Sequence, residues 1–174
     1  MKIGILGASG AVGRQMIACL EESPLEIEEL RLFVSENSAG KKLSFKGEEI
    51  ETRCADSNSF DDLDYVLGAV SDALSKKYYA LIKKTKAVYI DNSAAFRLLE
   101  DVPLVVPEIN GEDALDNHGL IANPNCSTII ALMALAPIHR LSKIRNVYAA
   151  TYQAVSGAGN KGIEELKRQA VLYT

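Results

Sequence analysis

No apolar run in the 174 residues approaches the ~18 needed to span a bilayer, and the run after Met1-Lys2 is broken by Gly4, Gly7, Gly10 and Gly13. A membrane segment is therefore not expected, and the protein reads as cytoplasmic. Positive charge is also short: 19 Lys and Arg stand against 23 Asp and Glu, a net charge of -4, and basic clusters such as Lys83-Lys84 are brief. That leaves no electrostatic footprint for a polyanion, so nucleic acid is not expected as a partner. Cysteine is limited to Cys19, Cys54 and Cys126, an odd number without a CxxC pair, which points away from a disulfide framework and from zinc; no metal is expected. Histidine is scarcer still, at positions 118 and 139 only. Repeats and low-complexity linkers are lacking too. What is present, 48% hydrophobic and 24% charged residues, is the composition of an ordinary globular chain, long enough for one domain or for one and part of another.

KIGIL (2–6) is an apolar run followed by Gly-Ala-Ser-Gly, after which AVGRQMIACLEE carries apolar residues at helical spacing until Ser23-Pro24. The pattern predicts a strand, a glycine turn and a helix. LRLFV (30–34), YVLGAV (65–70), AVYID (87–91) and LIAN (120–123) read as further strands, with helices over 72–84 and 127–141 and a hairpin over 41–53. Strands alternating with helices imply a mainly parallel sheet, so residues 1–125 are expected to form a doubly wound, Rossmann-like α/β dinucleotide-binding domain. NVYAATYQAV (146–155) reads as a long strand, and SGAGNKG leads from it to a last helical run over 163–174. Residues 126–174 are thus expected to begin a second, α+β domain that the chain does not finish.

Gly7-Ala8-Ser9-Gly10-Ala11-Val12-Gly13 spaces its glycines three apart between a strand and a helix. That context suits close approach of a phosphate to free backbone N–H groups at the positive helix end. The competing reading is a tight turn without a ligand. Selectivity between NAD and NADP depends on the end of the second strand. There Glu36 suits a ribose hydroxyl, whereas Ser35, Ser38, Lys41 and Lys42 suit a phosphate, and the residues leave both open.

Cys126 follows Asn123-Pro124-Asn125 and precedes STIIALMALAPIHRL, whose apolar residues fit a buried helix. A cysteine at a helix N-terminus has its thiolate stabilised by the dipole and the unpaired N–H groups, and the same groups suit an oxyanion. A cysteine that forms a thioester needs an acid and base, usually histidine. His139 lies 13 positions along the helix from Cys126, roughly 20 Å at 1.5 Å per residue. His118 lies on the order of 15 Å away across a strand. Neither can serve, which disfavours a self-sufficient cysteine hydrolase.

In order and at matching spacing, GASGAVGRQM (7–16), SAGK (38–41), DNSAAFR (91–97), VPLVVPEIN (102–110), IANPNCSTI (121–129) and TYQAVSGAGNKG (151–162) resemble the bacterial-type aspartate-β-semialdehyde dehydrogenases, over essentially the whole chain and as their N-terminal half. The resemblance implies NADP-dependent conversion of L-aspartyl-4-phosphate to L-aspartate-4-semialdehyde, a small-molecule reaction of lysine, threonine and methionine biosynthesis. It implies Cys126 as nucleophile, Gln153 orienting the intermediate, and Asn92, Ser93, Arg97 and Asn125 near substrate and phosphate. The guanidinium of Arg97 also suits phosphate oxygens on chemical grounds. Cofactor contacts are implied for Gly7, Ser9, Gly10, Ala11, Val12, Gly13, Ser35, Asn37, Ser38, Ser156 and Gly157. The cofactor is expected to be NADP, with NAD possible because Asn37 stands where the family commonly has arginine. A homo-oligomer, dimer or tetramer, is expected of the full-length protein. The family's catalytic histidine lies beyond the last residue given, so the 174 residues alone are expected to be inactive or nearly so. The alternative is a non-catalytic dinucleotide-binding module of the same ancestry.

Overall fold

The computed structural model describes residues 1–172. Strand β1 (Lys2–Leu6) leads through the glycine turn into helix α1 (Ala11–Glu22), and β2 (Glu29–Phe33) follows. A hairpin of β3 (Lys42–Phe45) and β4 (Glu48–Glu51) comes next, then β5 (Tyr65–Gly68), α2 (Asp72–Ile82) and β6 (Val88–Asp91). The single-turn α3 (Pro107–Asn110), β7 (Leu120–Ala122), α4 (Cys126–Leu141) and α5 (Gly159–Leu172) complete the order.

Five strands form one parallel sheet in the order β2-β1-β5-β6-β7. The chain runs outward from β1 to β2 on one side and from β1 to β5, β6 and β7 on the other. The switch point therefore lies between β1 and β5, and the loops at the carboxyl ends beside it are where such sheets bind ligands. Alternation sends Ile3 and Ile5 to the face covered by α1 and the hairpin, where they pack with Ile17, Leu20 and Phe45. The opposite face gathers Phe33, Phe60, Leu63, Val66, Ile82 and Tyr89. Lys46 and Gly47, with φ of 49° and 83°, make the hairpin turn in the left-handed region that matches strand twist.

At the amino end of β2 the Arg31 guanidinium forks onto two carboxylates. It meets Glu29 at 2.6 and 3.0 Å and Asp62 at 2.6 and 2.8 Å, and Lys2 adds a contact to Asp62 at 3.0 Å. Hydrogen bonds from Arg31 hold both carboxyls below the usual carboxylate range. A group depressed in the folded state contributes stability above its unfolded value, and that contribution fades as pH falls through the folded value. Arg31→Met is therefore expected to lower the urea midpoint at pH 7, and the gap from wild type should narrow as pH falls from about 4 toward 2. A gap independent of pH would show that Arg31 acts through packing alone.

Two expectations are corrected. Residues 146–154 form no strand: among the described residues no strand ladders with them, and Tyr148 and Tyr152 are 95% and 96% exposed. β-propensity in this segment cannot be realised without a ladder partner. Helix α4 is apolar as expected yet has no buried residue, and Ile130 is 72% exposed, because no described element covers its outer face. The final helix is described as far as Leu172; Tyr173 and Thr174 lie outside the described residues. Among the described residues, no helix is long and apolar enough to cross a membrane.

Candidate active site

Four strand ends and the segment after α4 converge on one cavity of about 440 Å³. The loop after β1 contributes Gly10, Ala11 and Val12, and the residue after β5 contributes Ala69. The turn after β6 contributes Asn92 and Arg97, the β7–α4 junction Asn125 and Cys126, and the later segment Gln153, Ser156, Gly157 and Gly159.

The glycines divide their work. Gly7 has φ of 81°, and a Cβ there would strike the Ala69 carbonyl; a Cβ on Gly13 would strike the Gly7 carbonyl and Ala8. These two let the turn and helix close against the sheet, and neither lines the cavity. Gly10 is the N-cap of α1 and makes no side-chain cap, so the first-turn N–H groups face the cavity without an intrahelical partner. Arg14 Nε donates to the Ser9 carbonyl at 3.2 Å and braces the loop from outside.

Arg97 is held by its own turn. Its Nη2 donates to the Asn92 carbonyl at 2.9 Å and its Nε to the Asn123 carbonyl at 2.9 Å, while Asn123 Nδ2 donates to Asn92 Oδ1 at 2.6 Å. Beneath this turn lies Asp91, fully buried at the end of β6. Its Oδ1 accepts from Ser75 Oγ at 2.7 Å and from Tyr89 Oη at 3.1 Å, and its Oδ2 from Ser93 Oγ at 2.6 Å. Burial, and next the Asp91 charge, push the Tyr89 phenol far up, so it remains a donor. Ser93 Oγ also accepts from the Ala95 N–H at 3.1 Å. Ser93 thus spends its hydroxyl inside the turn instead of facing the cavity.

Asn125 Oδ1 accepts the Ser127 N–H at 3.0 Å, which makes it the N-cap of α4 and sets Cys126 at the first helical position. Gln153 Nε2 donates to Cys126 Sγ at 3.6 Å. Among the described residues, Arg97 is the one charged side chain that lines the cavity, and three helices, α1, α4 and α5, begin on the same space. The cavity is therefore electropositive without a carboxylate to oppose an anion.

Ser35 and Asn37 line a second cavity of about 360 Å³ with Glu36, Lys77 and Tyr78, and Ser38 turns its backbone carbonyl to Thr52 Oγ1 at 2.9 Å. Asp91, Ala69, Gly159 and Lys77 are not among the residues singled out from the sequence. An acidic residue ending an apolar strand is the available signal for Asp91; sheet order brings in Ala69, helix α2 carries Lys77, and the turn after Gln153 brings in Gly159. Neither histidine lines the Cys126 cavity: His118 Nε2 lies 3.1 Å from Asp116, and His139 Nδ1 accepts from the Ile144 N–H at 3.2 Å. No group of three or more His, Cys, Asp or Glu able to hold a metal occurs among the described residues.

A parallel sheet with an uncapped glycine loop at its switch point, and a thiol and a guanidinium at the same edge, defines a dinucleotide-binding α/β protein. The chain belongs to the semialdehyde dehydrogenase family: residues 2–118 match the model described as semialdehyde dehydrogenase, NAD binding domain, and residues 135–174 the one described as its dimerisation domain. It is 44% identical over 170 residues to the aspartate-semialdehyde dehydrogenase of Synechocystis, covering 98% of this chain and 50% of that protein. To that of Aquifex aeolicus it is 47% identical over 171 residues, covering 97% and 50%. The crystal structure of Vibrio cholerae aspartate semialdehyde dehydrogenase II complexed with ASA is similar with a TM-score of 0.89 at 39% identity, over 97% of this chain and 51% of that one. That of the Candida albicans enzyme with NADP has a TM-score of 0.68 at 25% identity, over 82% and 48%. The chain spans about half the length of the curated relatives it matches.

Proposed function

We propose that this chain carries the nucleophile, phosphate site and dinucleotide cradle for NADP-dependent reductive dephosphorylation of L-aspartyl-4-phosphate to L-aspartate-4-semialdehyde, a step toward amino acids derived from aspartate. One observation carries the reading: Cys126, at the N-terminus of α4, shares a cavity free of acidic side chains with Arg97 and the N-terminus of α1. The cradle fits a dinucleotide, because the uncapped first turn of α1 offers free N–H groups and its own lining residues, Gly10, Ala11 and Val12, are small.

Cys126 Sγ attacks the acyl carbon, the C–S bond forms, and the C–O bond to phosphate breaks with its electron pair leaving on inorganic phosphate. Arg97, braced by the Asn92 and Asn123 carbonyls, receives that phosphate. Gln153, within hydrogen-bond reach of the sulfur, orients the resulting thioester. A reduced nicotinamide, when bound, supplies the hydride that reduces it. The C–S bond then breaks, the aldehyde forms, and Cys126 recovers its electron pair. Neither His118 nor His139 lines the site, so the 174 residues contain no histidine for proton transfer at this sulfur.

The preference for NADP over NAD is part of the proposal, supported by Ser35, Asn37 and Lys77 on one cavity, although Glu36 shares it. We place the start of the dimerisation unit at residue 126. A homo-oligomer through this part is supported by the dimerisation model over 135–174 and by the uncovered apolar residues Met133, Ile138 and Leu141. The nucleophile is tested by timed alkylation near neutral pH: Cys126 is expected to react at least about tenfold faster than Cys19 or Cys54, all three being exposed. Millimolar inorganic phosphate should slow Cys126 alone, and Arg97→Ala should remove that protection. Equal rates at the three thiols, or protection that survives Arg97→Ala, would count against it.

A further inference from the structure

Three glycines follow Gln153, each required for a different reason. Gly159 has φ of 74°, a conformation that side chains rarely adopt, and Gly162 lies against Ala158 and Val155, where α5 meets the preceding turn. Gly157 is not in the left-handed region. Where its Cβ would be stands the side-chain amide of Gln153, with Nε2 nearest and Cδ next. The same Nε2 donates to Cys126 Sγ. The Gly157 N–H donates to the Ala154 carbonyl at 3.2 Å, closing the turn that brings the bare Cα up to that amide.

We propose that Gly157 is a positioning residue: its missing side chain provides the slot in which the Gln153 amide lies against the Cys126 sulfur. The inference rests on reading Cys126 as the nucleophile and deepens it by assigning what aims Gln153. A methyl group at residue 157 meets only the free end of a flexible side chain, while the backbone there suits any residue. The chain yields by rotating Gln153, so folding survives and the contact with sulfur does not. Loss of that donor changes the surroundings of the sulfur, so the alkylation rate of Cys126 reports the contact directly.

The test is a double-mutant cycle on the full chain, comparing wild type, Gly157→Ala, Gln153→Ala and the double variant by alkylation of Cys126 with iodoacetamide at pH 7. Each single variant is expected to slow Cys126 about fivefold, the factor one such hydrogen bond is worth. The double variant should be slowed by that same factor and not by its square, with the rates of Cys19 and Cys54 and the urea midpoint unchanged. A wild-type rate in Gly157→Ala, a change unlike that of Gln153→Ala, or two effects that multiply would overturn the proposal. Should wild-type Cys126 react no faster than Cys19 and Cys54, the nucleophile reading fails, and the cycle still decides whether residue 157 sets Gln153.

Discussion

Asp91→Ala is expected to lower the unfolding free energy by roughly 4 kcal/mol, the sum of three buried hydroxyls losing one charged acceptor. Ser75, Tyr89 and Ser93 all donate to this carboxylate, and none of the four side chains has more than slight solvent access. Truncation leaves Ser75 and Tyr89 bonded only to each other, at 2.9 Å, and Ser93 without this acceptor, beneath a buried apolar cluster where water does not replace the lost charge. Tyr89→Phe, by contrast, removes one donor and leaves Ser75 and Ser93 paired, so it should cost about 1 kcal/mol. Urea unfolding of the two variants measures the difference. A loss below about 1 kcal/mol for Asp91→Ala would mean that the hydroxyls find other acceptors. Because Ser93 joins this carboxylate to the turn that carries Asn92 and Arg97, the same variant should weaken phosphate protection of Cys126.

Strand and helix order was legible because the apolar periods are clean: KIGIL, LRLFV and the β5 and β6 runs are short and bounded by turn residues, and each became a strand of the parallel sheet. Glycines at 7 and 13 were legible as a turn signature, whereas no spacing rule shows that a Cβ there would strike the Ala69 carbonyl and Ala8. Residues 146–154 misled for a physical reason. Their β-propensity is real, but a strand is a property of two segments, and among the described residues the second is not there. In the candidate site, Cys126 and Arg97 could be picked out by chemical type. Ser93 could not be separated from Asn92 in the same motif, because only the fold shows that one side chain turns to Asp91 while the other lines the cavity. Ala69 and Gly159 carry no chemical signal; sheet order brings one to the cavity and the turn after Gln153 the other.

The 174-residue polypeptide is expected to form no NADPH from aspartate semialdehyde, NADP and phosphate, since a thiol and a guanidinium are in place and no histidine lines their cavity. Adding a polypeptide with the half of the Aquifex aeolicus relative that this chain does not span should supply proton transfer and cover the apolar surface of α4. In that assembly Cys126→Ala should lose at least about 10⁴-fold in rate, the scale at which removal of a nucleophile is felt. Arg97→Lys keeps the charge but not the planar fork, and should raise the phosphate requirement with a smaller loss of rate.

Whether Cys126 in the dinucleotide cavity is the acyl acceptor is measured most directly by phosphate-dependent NADPH formation in this complemented assembly with and without Cys126→Ala. Turnover is expected to appear only on complementation and to disappear with the thiol. Turnover by the 174 residues alone, or turnover that persists in the Cys126→Ala assembly, would contradict that expectation.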